Sequence, residues 1–499
     1  MEKINNKINF LVFDFGASNG RSIAAQYNGH KLNMDILHRF ENRPVSMSGS
    51  LYWDILRLFS ELKIGLTIAN KNYKSFISLG IDTWGVDFGF LDKNGKLISN
   101  PLNYRDKEKF SYAEKLFEIF SAEELYKKTG GSLSPVASIF SLNYLKLINS
   151  VEILNSQSFL MIPDLFNYFL TGESFNEFTN ASTTSMLSQV DKNWEKEIIK
   201  KLRINPKIFC EIIKPGTEIS KINSQLKSEL DIKDMKVVAP ATHDTASAIA
   251  GIPIKEFSKK WAYISMGTWC ILGFECENTI INADAMKKGF FNEGGAEGKN
   301  LYNKNIVGLW TIQQCMERWI KEKNEHFQWS DLDKIFPFCK EFNSFIDIED
   351  PIFILPNSNM PKTIVDYCKD NNLNIPNNIG EIARCFYESL VFKFRYYFEY
   401  LQKFIDEKIE ILYMVGEGTK NNYLCQWCSN LNKIPVVASP TQTTAMGNAL
   451  MQLKSCGEIN NLEEGRLISY NSLETAYYTP EDIEKWEEGY QKYLNFLKQ

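Results

Sequence analysis

"INFLVFDFGASNGRSIAAQY", residues 8–27, reads as two strands meeting at a glycine-bearing tip. Ile8 to Gly16 is β-branched and aromatic and stops at "GASNG", and "RSIAAQY" is strand-like again, so a hairpin is predicted. Asp14 stands at the end of its first arm. From Ile55 the apolar residues Leu58, Phe59, Leu62 and Leu66 recur at helical spacing, and "FISLGID" (Phe76 to Asp82) follows as a buried strand. "VDFGFLDKNGKLIS" is read as another hairpin, since Asn94-Gly95 suits a type I′ turn. Strand, hairpin, helix and strand make an α/β lobe with a mixed sheet.

The pattern returns later in the chain. "KWAYISMGTWCILGF" (Lys260 to Phe274) is again strand, tip and strand, with Ser265, Met266, Gly267 and Thr268 at the tip. Helical segments near Leu309 to Ile320 and Gly380 to Leu401 follow. A strand at Ile409 to Gly416, a strand "IPVVAS" and a helix in "TQTTAMGNALMQL" come after them. No sequence identity links the halves, so a duplicated architecture is inferred from element order alone. At 499 residues the chain exceeds what one core usually organises, and two lobes are expected.

Composition excludes several classes. With 44% hydrophobic and 23% charged residues the chain is an ordinary globular one, and its net charge of -5 comes from interspersed charges without a basic run, so nucleic acid is not an expected partner. The apolar stretch near the N-terminus is interrupted by Asp14, unlike a signal peptide, and nowhere do 18 apolar residues run together. A cytoplasmic chain with no membrane partner is expected. Ten cysteines in this length are not a disulfide framework and most are read as buried thiols, with the single CxxC of Cys425 and Cys428 as one turn of an amphipathic helix.

Glycine lets backbone N–H groups approach a phosphate closely, so two such tips suggest a nucleotide held between lobes. Taken singly, each tip is more often an ordinary hairpin. Walker A spacing is absent; Asp14 could take a water-bound magnesium ion near the phosphates. A third stretch, "APATHDTASAIAG" (Ala239 to Gly251), sets His243 and Asp244 where a strand gives way to a helix. Asp244 reads either as a helix N-cap or as a working carboxylate, and the two are compatible because the helix dipole favours the ionised form.

Taken in order, "DFGASNGR" (Asp14 to Arg21), "GIDTWGVDF" (Gly80 to Phe88), "NYRD" (Asn103 to Asp106) and "PDLFNYFLTG" (Pro163 to Gly172) resemble the FGGY carbohydrate kinases. "THDTASA" (Thr242 to Ala248), "SMGTW" (Ser265 to Trp269), "NEGGAEG" (Asn292 to Gly298) and "KNIVGLW" (Lys304 to Trp310) continue the match, and the combination is similar to the family's L-rhamnulose-phosphorylating branch. The resemblance implies a two-lobed, actin-like (ribonuclease-H-like) α/β ATPase fold with an interlobe active-site cleft. It assigns residues 1–246 to a sugar-binding lobe and 247–499 to a nucleotide-binding lobe. It also implies transfer of the ATP γ-phosphoryl group to the O1 hydroxyl of L-rhamnulose.

By the same resemblance Asp244 is the catalytic base, and Gly85, His243, Thr245 and Asn305 contact the sugar. Ala17, Ser18, Asn19, Gly20 and Arg21 form the first phosphate loop, Thr268 supplies the hydroxyl of the second, and Gln313 and Gly416 contact the nucleotide. Cofactors are ATP and Mg2+, the latter near Asp14. Trp84 and Asp87 are read as wall residues of the sugar site. Where the family shows three glycines near Val415 to Asn421, this chain has "GEG", with Glu417 in the middle. The cysteine pairs Cys368 with Cys385 and Cys425 with Cys428 fall near cysteines of relatives, and free thiols are expected.

A carboxylate within hydrogen-bond reach accepts the sugar proton as the O–P bond forms, and donors preorganised around the phosphoryl group stabilise its charge. Competing readings are a kinase for L-fuculose, L-xylulose or a signalling furanone, an idle actin-like ATP-binding protein, and a chaperone-type ATPase. The chain is expected to be a monomer or a homodimer.

Overall fold

Ile8–Phe15 (β1) and Asn19–Tyr27 (β2) pair antiparallel in the computed structural model, with Phe15 opposite Gly20, so the tip is Gly16, Ala17 and Ser18. The structure describes residues 7–323, 326–354, 357–439 and 442–498. Leu32–Glu41 (β3) extends the hairpin outward, while Ser78–Thr83 (β4) lies parallel to β1 on its inner side and brings Asp82 opposite Asp14. Thr217–Lys221 (β5) and Lys236–Ala239 (β6) complete a six-stranded mixed sheet of order β5-β6-β4-β1-β2-β3. Every residue of β4 is buried, as a strand covered on both faces requires.

The predicted helix runs from Ile55 to Asn72, capped by Asp54, which accepts the Arg57 N–H. Leu58, Leu62 and Leu66 are buried in one core with Leu11 and Phe13 of β1. Each such fully buried leucine stabilises the fold by roughly 2 kcal/mol.

Two compact units result, and neither is continuous in sequence. The first combines the chain up to Lys255 with Glu275–Asn303 and Gln442–Leu473; the second combines Glu256–Phe274, Lys304–Thr441 and Glu474–Gln499. These units differ from a single cut between residues 246 and 247, and the reason is visible in the helix Thr443–Ser455. Its Gln452 donates to the Leu11 carbonyl at 3.1 Å and accepts from Ser78 Oγ at 2.7 Å, and its Asn448 donates to Asp82 Oδ2 at 2.6 Å. The expected helix began at Thr441, which lies outside the described residues.

That helix meets Asp244–Ala250 backbone to backbone. A Cβ on Gly447 would stand 1.8 Å from the Ser247 carbonyl oxygen, and one on Gly251 2.1 Å from that of Thr443. Only hydrogen fits at either position.

The Asn94-Gly95 stretch departs from expectation. The chain does reverse there, with Asp92 N–H on the Lys96 carbonyl and Ile98 N–H on that of Phe90, but only Gly95 has positive φ, so the turn is not type I′. The Asp92 side chain explains this: its Oδ1 accepts the N–H groups of Asn94 and Lys96, each at 2.8 Å, and holds Asn94 in a right-handed turn. Phe88–Leu91 takes Ser158–Met161 as its strand partner instead.

In the second unit Trp261–Met266 (β7) pairs antiparallel with Trp269–Cys276 (β8), so Ser265 and Met266 belong to the strand and the tip is Gly267-Thr268. Ile411–Val415 (β9) lies parallel to β7, Val436–Ser439 (β10) parallel to β9, and Ala476–Tyr478 (β11) antiparallel at the edge. Helices Trp310–Glu322, Ile379–Leu401 and Asn422–Asn432 follow the predicted positions, the last carrying buried Cys425 and Cys428. All ten cysteines are free thiols. Among the described residues no helix is long and apolar enough to cross a membrane.

Candidate active site

At the end of β6 the chain runs on beside Thr83, whose N–H donates to the Thr242 carbonyl at 2.9 Å, before turning into the helix Asp244–Ala250. Extended His243 occupies the N-cap position and makes no side-chain cap bond, so Asp244 is the first helical residue and not the cap. What fixes this corner is Glu177, to which the sequence reading gave no role. Its buried carboxylate accepts the N–H and hydroxyl of Thr242 at 3.0 and 2.6 Å, and those of Thr179 at 2.9 and 2.5 Å. Asn180 Nδ2 reaches the carbonyls of Thr242 and Trp84 at 3.3 and 3.4 Å. The corner is held from one side by a buried polar network centred on Glu177, although Asn180 Oδ1 has no hydrogen-bond partner.

Asp244 keeps 29% of its side-chain surface open, and Thr245 Oγ1 donates to its Oδ1 at 3.3 Å. Burial, then the charge of Asp14, push its carboxyl up to about 7. The expectation that the helix start keeps this group deprotonated is corrected: a seven-residue helix supplies a weak dipole, and desolvation with a like charge outweighs it.

His243 Nε2 stands 3.5 Å from Asp244 Oδ1, and burial lowers the imidazole to about 4, so it is neutral near pH 7. Glu293, behind the ring, accepts from Asn303 Nδ2 at 3.0 Å; burial raises it to about 7, with Asp244 adding to the effect. Gly85 packs against the same ring. A Cβ there would lie 2.8 Å from the Thr183 methyl and 3.1 Å from His243 Nε2, so the absent side chain already serves the protein's own packing. Val86 follows at φ +69, a strained conformation for a β-branched residue, held by Thr183 Oγ1 accepting its N–H at 2.8 Å.

Beneath the hairpin tip Asp14 Oδ2 receives Nε and Nη2 of Arg21 at 2.9 and 2.6 Å. Neighbouring Asp82 is fully buried, its Oδ2 taken by Asn448 and its Oδ1 without a hydrogen-bond partner; burial first, and then Asp14, hold its carboxyl well above the usual range. At the tip itself Asn42 donates from its amide to the Gly16 carbonyl at 2.8 Å and from its backbone to that of Ser18 at 2.9 Å. Two carbonyls of the loop are thereby tied back, which favours N–H groups as the loop's outward donors.

Trp84 and Asp87 are buried. Asp87 Oδ2 accepts both Trp53 Nε1 at 2.6 Å and Trp84 Nε1 at 3.0 Å, and the two indoles lie 4.1 Å apart. Trp53 was not foreseen either. Burial pushes Asp87 up to about 6, opposed chiefly by Lys109.

The second unit gathers its own group. Thr268 Oγ1 donates to Gln313 Oε1 at 3.4 Å, and the Gly267 and Thr268 carbonyls accept Leu309 and Gly308 N–H groups at 3.0 and 3.2 Å. Gly416, at φ +94, closes on β7, where a Cβ would stand 2.5 Å from the Met266 carbonyl oxygen. A Cβ on Gly418 would stand 2.7 Å from a Leu309 methyl, so both glycines flanking position 417 serve packing against β7 and Leu309. Glu417 between them is 84% exposed, with Lys420 Nζ at 3.6 Å. Replacing Glu417 by Gly is accordingly expected to leave ATP affinity within twofold in a nucleotide titration, since an exposed, screened charge is worth little. Asn305 lies on the strand Asn300–Val307, its Oδ1 buried without a hydrogen-bond partner.

Residues 9–251 match the N-terminal domain, and residues 262–456 the C-terminal domain, of the FGGY family of carbohydrate kinases. The chain belongs to this family. The rhamnulokinase of Oceanobacillus iheyensis is 34% identical over 474 residues, covering 95% of this chain and 99% of that protein. That of Bacteroides thetaiotaomicron is 32% identical over 492 residues, covering 99% and 100%. Among solved structures, ligand-bound xylulose kinase from Lactobacillus acidophilus superposes with a TM-score of 0.80 at 16% identity, covering 98% and 97% of the two chains. Glycerol kinase from Plasmodium falciparum with ADP gives 0.78 at 15%, covering 99% and 98%. The FGGY chain thus has the two-domain, actin-like α/β fold of a sugar kinase. Within its first unit Asp14, Arg21, Gly85, His243, Asp244 and Thr245 gather about the ends of β1 and β4; within its second, Thr268, Gln313 and Gly416 gather at the tip of β7 and β8.

Proposed function

We propose that this FGGY kinase transfers the γ-phosphoryl group of ATP to O1 of L-rhamnulose, releasing ADP and L-rhamnulose 1-phosphate in the cytoplasm. Asp244 carries the reading. It is a partly open carboxyl beside neutral His243, raised toward neutral pH, as a general base for an alcohol needs. Relatives of this length and identity that carry the rhamnulokinase name select the sugar. As the O1–P bond forms and the bond from phosphorus to ADP breaks, the O1 proton passes to Asp244. Gly85, His243, Thr245 and Asn305 line the sugar, and residues Ala17 to Arg21 with Thr268, Gln313 and Gly416 hold the nucleotide.

Mg2+ fits the donor set. Magnesium takes one or two carboxylates and keeps waters and phosphate oxygens for its other positions. Asp14 offers one such carboxylate beneath the hairpin tip, while Asp82 beside it is fully buried and held well above the usual carboxylate range. When bound, the ion neutralises phosphate charge; Asp14 would hold it, and Arg21 would fix the Asp14 carboxylate in place.

A coupled ADP-release assay across L-rhamnulose, L-fuculose and L-xylulose tests the substrate. L-Rhamnulose should give the highest kcat/KM, and an equal or better rate with either competitor overturns the sugar while leaving the kinase. The base also sets a pH dependence. Because Asp244 accepts a proton only when ionised, kcat/KM for the sugar should fall on acidification through about pH 7, with unit slope on a logarithmic plot. Stability runs the other way: a carboxyl raised on folding favours the folded state at acid pH, and that contribution is lost as pH rises from the ordinary carboxylate range through about 7. A profile flat to pH 5 would remove Asp244 as the base.

A further inference from the structure

Glu293 lies on the strand Phe290–Gly294, every residue of which is buried. Its Oε2 is fixed by Asn303 Nδ2 at 3.0 Å and faces His243 Nδ1 at 3.9 Å. On the opposite side of the ring Nε2 faces Asp244 Oδ1 at 3.5 Å. His243 Nδ1 is closed off from solvent and has no hydrogen-bond partner. A neutral imidazole carries its proton on one nitrogen only, and the group facing that nitrogen decides which.

We propose that Glu293 is a positioning residue whose carboxylate keeps the His243 proton on Nδ1, leaving Nε2 as an acceptor turned toward the sugar beside Asp244. This rests on the reading of His243 as a sugar contact. Both ring nitrogens face a carboxylate, so the choice is between two partners. Nδ1 faces Glu293, and a buried nitrogen left unserved costs free energy; Nε2 looks toward Asp244, whose side chain remains 29% open. With the proton on Nε2, His243 would donate to Asp244 and compete with the sugar hydroxyl for the base. With the proton on Nδ1, Nε2 and Asp244 Oδ1 are two acceptors 3.5 Å apart, an arrangement that hydroxyl donors of a sugar satisfy.

The test reads the tautomer directly, by long-range nitrogen–proton NMR correlation on histidine-labelled protein without sugar at a pH well above 7, where Glu293 is ionised, the His243 signals being assigned with His243→Asn. The wild type should show the Nδ1–H form. Glu293→Gln, whose amide can donate to Nδ1, should shift it to Nε2–H and raise KM for the ketose by up to about tenfold, the upper end for one hydrogen bond between neutral partners, with KM for ATP within twofold. Glu293→Asp should keep the wild-type tautomer and a smaller KM change, which a merely structural role would not predict. An Nε2–H tautomer in the wild type, or an unchanged one in Glu293→Gln, overturns the proposal. The tautomer is read without ligand, so failure of the substrate assignment would leave this result standing or falling by itself.

Discussion

Asp244→Asn is expected to lower kcat by about a thousandfold, within the span that a positioned general base contributes, with KM for ATP little changed. The amide has nearly the carboxylate's shape and can still accept from Thr245 Oγ1, but it cannot take the hydroxyl proton. The variant should also be at least as stable as the wild type at neutral pH. Asp244 is disfavoured as an anion by burial and by Asp14, and a neutral amide relieves both. Activity loss without stability loss separates chemistry from folding, and the two are read by ADP release under saturating substrates and by denaturant unfolding. A kcat within tenfold of wild type would remove this residue from the chemistry.

The second large effect is structural. Gly447→Ala should destabilise the first unit by about 3 kcal/mol or more, because the new methyl would stand 1.8 Å from the Ser247 carbonyl oxygen. Rigid backbone is the obstacle, so neither helix can give way by a side-chain rotation. Any separation of the helices would also pull Asn448 from Asp82 and Gln452 from Ser78, and activity should fall together with stability. Gly465→Ala is the control. Its Cβ would meet only side-chain methyls of Ile459 and Leu450, at 3.2 Å, which can shift. Equal unfolding midpoints for the two variants would contradict the close helix crossing.

The hairpins, the first helix and the buried strand at Ser78–Thr83 were legible because each is a local pattern: an apolar run of fixed period, stopped by glycine. The Asn94 turn was misread because a side chain, Asp92, overrode the preference of the Asn-Gly pair. Glu177 was invisible for a different reason. In "FNEFTN" it looks like any polar loop residue, and its meaning comes from Thr242, 65 positions away. Trp53 and Asn42 are similar, since their partners Asp87 and Gly16 are set by the tertiary fold. The motif residues carried the candidate site, while the side chains that hold those motifs in place had to be found in three dimensions.

The discontinuity of the first unit has a consequence during synthesis. As the nascent chain leaves the ribosome, β1 and β4 can pair early, yet the Asp82 carboxyl and the groove over Gly80 wait for Asn448 and Gln452, which emerge only after almost all of the second unit. Until then the half-built sheet carries an unanswered acid and an uncovered flank, the kind of partly folded state that invites misassembly.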